Sequence, residues 1–167
     1  LTIEPLGETL DVEDGQSILD ASLRAGIWLP YACNHGLCGT CKIDVLEGEV
    51  AHNHASAFAL MDVEREEGRA LACCATLESD IIIEAEIDED PDAGGLAVSD
   101  YLGTVSRIEN LTPTIKGIWL TVEEGIEFQA GQYVNLFLPG LEHPRAFSIA
   151  SSPSSERDIE LNVRLVA

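Results

Sequence analysis

An α+β domain followed by an incomplete all-β one is the fold class that this chain of 167 residues predicts. Three observations predict it. Apolar residues in 1–88 alternate with period two, switch once to helical spacing, and return to period two. An acidic, aperiodic stretch over 89–100, with Pro91, Gly94 and Gly95 in it, has the composition of a linker. Beyond it, 101–167 holds only short alternating runs separated by turn residues.

The first strands are expected at 2–4 and 9–12, a hairpin turning at Pro5, Gly7 and Glu8. Asp14, Gly15, Gln16 and Ser17 supply helix-start chemistry before Ile18, Leu19, Ser22 and Leu23, and Gly26 stands where a helix stops. Residues 27–31 lead over Pro30 into a cysteine-rich loop, and 42–46 read as a strand that turns at Glu47, Gly48 and Glu49. A short helix is expected over 56–62, then closing strands at 70–73 and 81–87. In the second part, strands are expected at 102–108, 115–122, 133–138, 146–150 and 159–166, five short runs that suit a barrel or sandwich lacking its remainder. The chain opens on Leu1 without a Met and stops directly after the last of these runs, so a fragment of a longer protein is expected.

Composition narrows the partners. Hydrophobic residues make up 46% and charged residues 23%, enough to bury a core. Nine Lys and Arg stand against 30 Asp and Glu, a net charge of −21, which repels phosphate backbones and argues against nucleic acid. No apolar run approaches the roughly 18 residues that span a bilayer, and no basic stretch precedes an apolar one. Neither a membrane span nor an intact signal peptide is expected, and the chain reads as cytoplasmic. Residues 1–90 carry 20 acidic and 4 basic residues, 91–167 carry 10 and 5. The acidic first part has two readings, a solubilising surface or a docking face for a basic partner.

The five cysteines are Cys33, Cys38, Cys41, Cys73 and Cys74. An odd number with three inside nine residues does not suit a disulfide framework. The spacing C-x4-C-x2-C with a distant fourth cysteine, at 73 or 74, is the ligand pattern of a plant-type [2Fe-2S] cluster, in which four thiolates hold two irons, two on each. Structural zinc sites draw instead on two short-spaced pairs. Gly36 and Gly39 inside the loop allow positive φ, which turns backbone N–H groups toward the sulfurs. His35 lies in the loop but a four-cysteine site leaves it no ligand role, and His52 and His54 read as part of a surface turn. Trp28 and Tyr31 beside the loop read as core packing.

These residues resemble the plant-type ferredoxins, in particular the ferredoxin domains fused to flavoprotein reductases, over residues 1 to about 88. The resemblance implies a β-grasp fold. It also implies Cys73 as the fourth ligand, because the family's last cysteine lies seven residues before an Asp that opens the final strand, as Cys73 does before Asp80. Cys74 is then a small buried hydrophobe or a half-exposed thiol.

Two segments of the second part resemble the flavin barrels of ferredoxin reductases. The run Arg145-Ala146-Phe147-Ser148-Ile149-Ala150 is similar to the signature R-x-[YF]-S-[IL]-A, and the run Phe128-Gln129-Ala130-Gly131-Gln132-Tyr133-Val134 to the strand before it. The resemblance implies that Arg145 pairs with the FAD pyrophosphate, that Phe147 packs on the flavin or ribityl chain, and that Ser148 hydrogen-bonds near flavin N5. Ile149 extends the motif, and Val163, Arg164 and Leu165 resemble the next flavin-flanking segment. Phe147 stands where many members have Tyr, so a hydroxyl contact is missing. No G-x-G-x-x-G occurs in the chain. The ferredoxin-first order, Leu71-Ala72-Cys73-Cys74-Ala75 and Pro113-Thr114-Ile115-Lys116-Gly117 resemble the reductase components of bacterial multicomponent aromatic hydroxylases, those of the phenol hydroxylases above all. That resemblance implies a relay in which NADH reduces FAD, FAD divides the electron pair, and the [2Fe-2S] cluster passes single electrons to a di-iron oxygenase. Reductases of ring-hydroxylating dioxygenases or methane-type monooxygenases share these modules, and a ferredoxin-type electron carrier without its own catalysis is the other reading of this part alone.

Overall fold

The computed structural model describes residues 1–87, 98–140, 144–155 and 157–165. The chain divides into two compact units, Leu1–Ser99 and Asp100–Ala167. Most of the expected acidic linker, at 89–97, lies outside the described residues, as does Val166 at the end of the last expected strand.

The first unit begins with strands β1 (Thr2–Glu4) and β2 (Glu8–Thr9), paired antiparallel as a hairpin shorter than the alternation predicts. Helix α1 (Ile18–Arg24) starts where Ser17 accepts the Asp20 N–H at 3.2 Å. It ends at Gly26, whose φ of +79° provides the left-handed turn that a β-carbon would oppose. Ile18, Leu19 and Leu23 form its buried stripe. Strand β3 (Lys42–Glu47) follows the cysteine loop, and β4 (Val50–Ala51) follows a turn at Gly48. Next come α2 (Asp62–Glu66), β5 (Arg69–Leu71), β6 (Thr76–Leu77) and β7 (Ile82–Glu84). The main sheet runs β2-β1-β7-β3-β5, with β1 and β7 parallel and the other pairs antiparallel. Burying α1 against Ile3, Ile43, Leu71 and Ile83 closes the core and gives the helix-on-mixed-sheet arrangement expected of a β-grasp domain.

The helix expected over 56–62 begins six residues late. Ser56 closes a local turn instead, its carbonyl accepting the Ala59 and Leu60 N–H groups. The helix then starts at Asp62 because the Glu64 carboxylate accepts the Met61 N–H at 2.9 Å while also holding Lys42 Nζ at 2.6 Å. The strand expected over 70–73 stops at Leu71, so Cys73 sits in a turn.

The second unit is all β. Strands β8 (Gly103–Asn110), β9 (Ile115–Val122) and β12 (Asp158–Arg164) form an antiparallel sheet in the order β12-β9-β8, and β10 (Tyr133–Leu136) pairs with β11 (Arg145–Ser148). Leu120, Ile126, Phe128, Ile159 and Leu161 make its core, and Ile149 bridges Leu161 to bring the end of β11 against β12. Among the described residues the two sheets do not close into a barrel. Gly117 gives room to the Trp119 ring, which an added Cβ would meet at 2.6 Å, and Arg107 stacks over that ring at 3.6 Å. No described helix is long and apolar enough to cross a membrane.

Candidate metal centre

The loop from α1 to β3 carries Cys33, Cys38 and Cys41, and two glycines set its path. A Cβ at Gly36 would fall 2.6 Å from Cys74 Sγ, and one at Gly39 would fall 3.2 Å from the Ala59 carbonyl oxygen. Both glycines also have positive φ, +68° and +77°. The loop therefore lies close against the segment 54–59, and the Ser56 N–H donates to the Gly36 carbonyl at 3.0 Å.

Cys73 arrives from the other side, in the turn after β5. That turn is held by the Cys74 and Ala75 N–H groups donating to the Leu71 carbonyl, and by the Leu19 N–H of α1 donating to the Ala72 carbonyl at 2.9 Å. The Ala72 N–H donates to the Cys41 carbonyl at 2.9 Å, which ties the turn to the end of the cysteine loop.

The four predicted thiols fall into two sets, Cys33 and Cys38 on the loop, and Cys41 and Cys73 where the end of the loop is tied to the turn after β5. The first pair reaches the surface and the second is buried. Among the described residues no three His, Cys, Asp or Glu side chains converge as they would around a single ion. Two thiol pairs fit a centre of two irons with two thiolates on each. The His35 and Leu37 N–H groups donate to Cys33 Sγ at 3.4 and 3.5 Å, so the loop backbone does turn toward a sulfur.

Their surroundings differ. Hydrogen bonding with the Thr40 side chain and backbone, and with Cys33, pulls the exposed Cys38 thiol down to about 6. The hydrogen bond with Cys73, together with burial, pushes Cys41 up. Iron binding at the inner pair must displace a proton, since the thiolate is the ligand. Burial also pushes Cys74 up; its Sγ lies 3.6 Å from Cys73 Sγ and 3.5 Å from His54 Nε2.

His35 is exposed, as expected of a residue on the surface of the loop. Trp28 and Tyr31 pack partly buried against the first core. His52 is half-buried, and burial lowers its pKa. Sequence reasoning missed Asn53 and His54, whose contacts with Cys74 span 21 and 20 positions and leave no local signal.

Residues 1–78 match the family described as the 2Fe-2S iron-sulfur cluster binding domain. The first unit is a [2Fe-2S] ferredoxin domain. The whole chain is similar to the phenol 2-monooxygenase reductase component DmpP of Pseudomonas sp. (strain CF600), 57% identical over 99% of this chain and 47% of the relative. It is 56% identical, over the same shares, to the phenol hydroxylase P5 protein of Acinetobacter pittii (strain PHEA-2). Among solved structures, the cytochrome P450 reductase GcoB of Amycolatopsis superposes with a TM-score of 0.83 at 35% identity, over 99% of this chain and 48% of that one. The chain thus spans about half the length of the curated relatives it matches.

In the second unit the predicted flavin residues fall on neighbouring strands. Arg145, Phe147 and Ser148 lie on β11, Ile149 just beyond it, Val163 and Arg164 on β12, and Leu165 after it. Phe147, Ile149 and Val163 pack against the second core, while Arg145, Ser148, Arg164 and Leu165 are exposed. The Arg145 guanidinium donates to the Pro144 carbonyl at 3.4 Å.

Proposed function

We propose that this chain is the electron-transfer part of an NADH-dependent reductase component that feeds a di-iron aromatic hydroxylase, one acting on phenol. In this reading 1–88 form the ferredoxin domain, 89–100 the linker, and 101–167 the first part of a FAD-binding barrel. The observation that carries it is the placement of Cys33, Cys38 and Cys41 on one loop shaped by Gly36 and Gly39 and tied through the Cys41 carbonyl to the turn bearing Cys73, with two backbone N–H groups donating to Cys33 Sγ. When bound, FAD converts a two-electron hydride into single electrons and the [2Fe-2S] cluster accepts them one at a time.

The chain's own residues have separate tasks. Cys33, Cys38, Cys41 and Cys73 would hold the cluster through four thiolates, the first two nearer the surface and the last two buried. The His35 and Leu37 N–H groups stabilise the added negative charge at Cys33. Arg145 binds the FAD diphosphate, for which a planar guanidinium is suited, Phe147 packs against the flavin side of the barrel, and Ser148 donates near N5, with Ile149, Val163, Arg164 and Leu165 flanking the ring. Exposed Leu37, in the loop, and Phe58, beside it and 99% exposed, offer an apolar anchor within an acidic domain, which suits a basic oxygenase partner in the cytoplasm.

Anaerobic reconstitution of the chain tests the first half. Two irons and two sulfides per chain, reduced by one electron, are expected; a colourless chain holding zinc overturns the reading. A longer chain, extended as in the relatives, is expected to purify with FAD and to lose it on Arg145→Ala, and purification without FAD removes the flavin half. Transfer of its electrons to a di-iron phenol hydroxylase, and not to a P450 or a dioxygenase, checks the acceptor.

A further inference from the structure

The turn at 51–56 touches both sides of the thiol pocket. Asn53 takes a φ of +47°, a conformation that Asn tolerates better than most side chains and that aims its amide inward. That amide donates to the Cys74 carbonyl at 2.9 Å, to Thr76 Oγ1 at 3.1 Å and to the Ala51 carbonyl at 3.4 Å. The neighbouring His54 reaches the same residue by its side chain, Nε2 lying 3.5 Å from Cys74 Sγ. On its other side the turn meets the cysteine loop: the His54 carbonyl oxygen and Ala55 Cα each stand 3.3 Å from the Cβ position of Gly36, and the Ser56 N–H donates to the Gly36 carbonyl.

Cys74 fills the space between these parts. Its sulfur occupies the notch that glycine leaves at position 36, and its backbone belongs to the turn that presents Cys73. We propose that Asn53 and His54 are positioning residues that clasp Cys74, and through it fix the turn bearing Cys73 against the loop bearing Cys33, Cys38 and Cys41. The inference rests on the reading that those four cysteines hold the [2Fe-2S] cluster. Its consequence is that the clasp sets how the inner thiol pair is oriented and how readily the pocket opens, although neither residue is a ligand.

The test uses the whole 167-residue chain, reconstituted with iron and sulfide. Asn53→Asp keeps a residue that tolerates the turn but replaces the donating amide with an acceptor, and His54→Ala removes the contact to sulfur while His54→Gln retains a donor. Gln16→Ala serves as control, because it deletes the 2.7 Å bond to Asp20 at the start of α1 without touching the clasp. Asn53→Asp and His54→Ala are expected to shift the EPR spectrum of the one-electron-reduced chain. They are also expected to lose visible absorbance in excess EDTA about three- to tenfold faster than wild type, the factor that one hydrogen bond of ordinary net strength represents. His54→Gln is expected to restore the wild-type spectrum, and Gln16→Ala to leave it unmoved. Spectra and loss rates of Asn53→Asp and His54→Ala that match those of wild type or of Gln16→Ala overturn the clasp. A wild-type chain that takes up no iron and sulfide overturns the underlying cluster reading instead.

Discussion

The two units bury their apolar residues to different degrees. Nineteen described residues form the core of the first, from Leu1 to Ala85, whereas five form that of the second. Strand β8 is exposed along its whole length, and Leu102, Val105, Ile108, Phe137 and Leu165 stand in solvent. In the first unit the core buries Cys41 and Cys73, and backbone hydrogen bonds tie the turn and the loop that bear the four sulfurs. The second unit depends for its rigidity on one sheet, one strand pair and a small core. Among the described residues the first unit thus surrounds part of its candidate site with core, whereas Arg145 and Ser148 of the second stand exposed on a strand.

The largest expected effect separates the site from its surroundings. Cys73→Ser should abolish the native visible spectrum of the reconstituted chain, while Cys74→Ser should retain a [2Fe-2S] spectrum; the reverse pattern reassigns the fourth ligand. Next in size, Leu161→Ala should cost about 2–5 kcal/mol, the usual range for emptying a fully buried leucine site. Removing one of five core residues should leave β9 and β12 exchanging their amide hydrogens without cooperative protection. Leu71→Ala in the first unit should lower its urea midpoint yet preserve a cooperative transition. Equal loss of protection in both units would end the contrast drawn between them.

A smaller effect depends on pH. The hydrogen bond from Lys42, followed by the Met61 N–H, holds the Glu64 carboxyl below its ordinary value. A carboxylate lowered in the folded state stabilises the fold above the unfolded value, and that contribution disappears as pH falls through the folded value. Urea midpoints of the first unit should therefore drop between neutral pH and the acid range, and Glu64→Gln should flatten that part of the profile; an unchanged profile would remove Glu64 from the account. The smallest expected effect is in the second unit. Arg107→Ala, which loses the stacking on Trp119 at an exposed position, should cost about 0.5–1 kcal/mol by urea titration.

Much of the first unit is legible along the chain because its signals are local. Ser17 and Gly26 bracket α1 within a few residues, and the period-two runs of β1, β3, β8 and β9 need no distant partner to be recognised. The cysteine spacing and the two glycines likewise announce a cluster loop. What escaped is long-range. The start of α2 is set by Glu64 reaching Lys42, 22 positions away, and the short ladder of β4 with β6 joins residues whose sequence carries no pairing signal. The clasp of Asn53 and His54 on Cys74 is of the same kind.

The acceptor is a different matter from the fold. Similar chains of the same two-part architecture are named as reductases of a phenol monooxygenase and of a cytochrome P450, so the fold is shared by proteins with unlike acceptors. Surface residues such as Leu37 and Phe58, together with the acidic charge, are where that choice is to be sought.

By itself the sequence determined the number and spacing of the cysteines, the three-cysteine loop, the order of the two parts and the strands that alternate clearly. These follow from spacing, periodicity and charge, all properties of neighbours along the chain. Only the tertiary structure decided that the end of the loop at Cys41 is tied to the turn bearing Cys73, that Cys74 is filled in against Gly36, and that a turn at 51–56 spans the two sides of the pocket. Those contacts arise when α1 closes over the sheet and brings the turn after β5 to the loop, a consequence of burying one apolar face that no local pattern encodes.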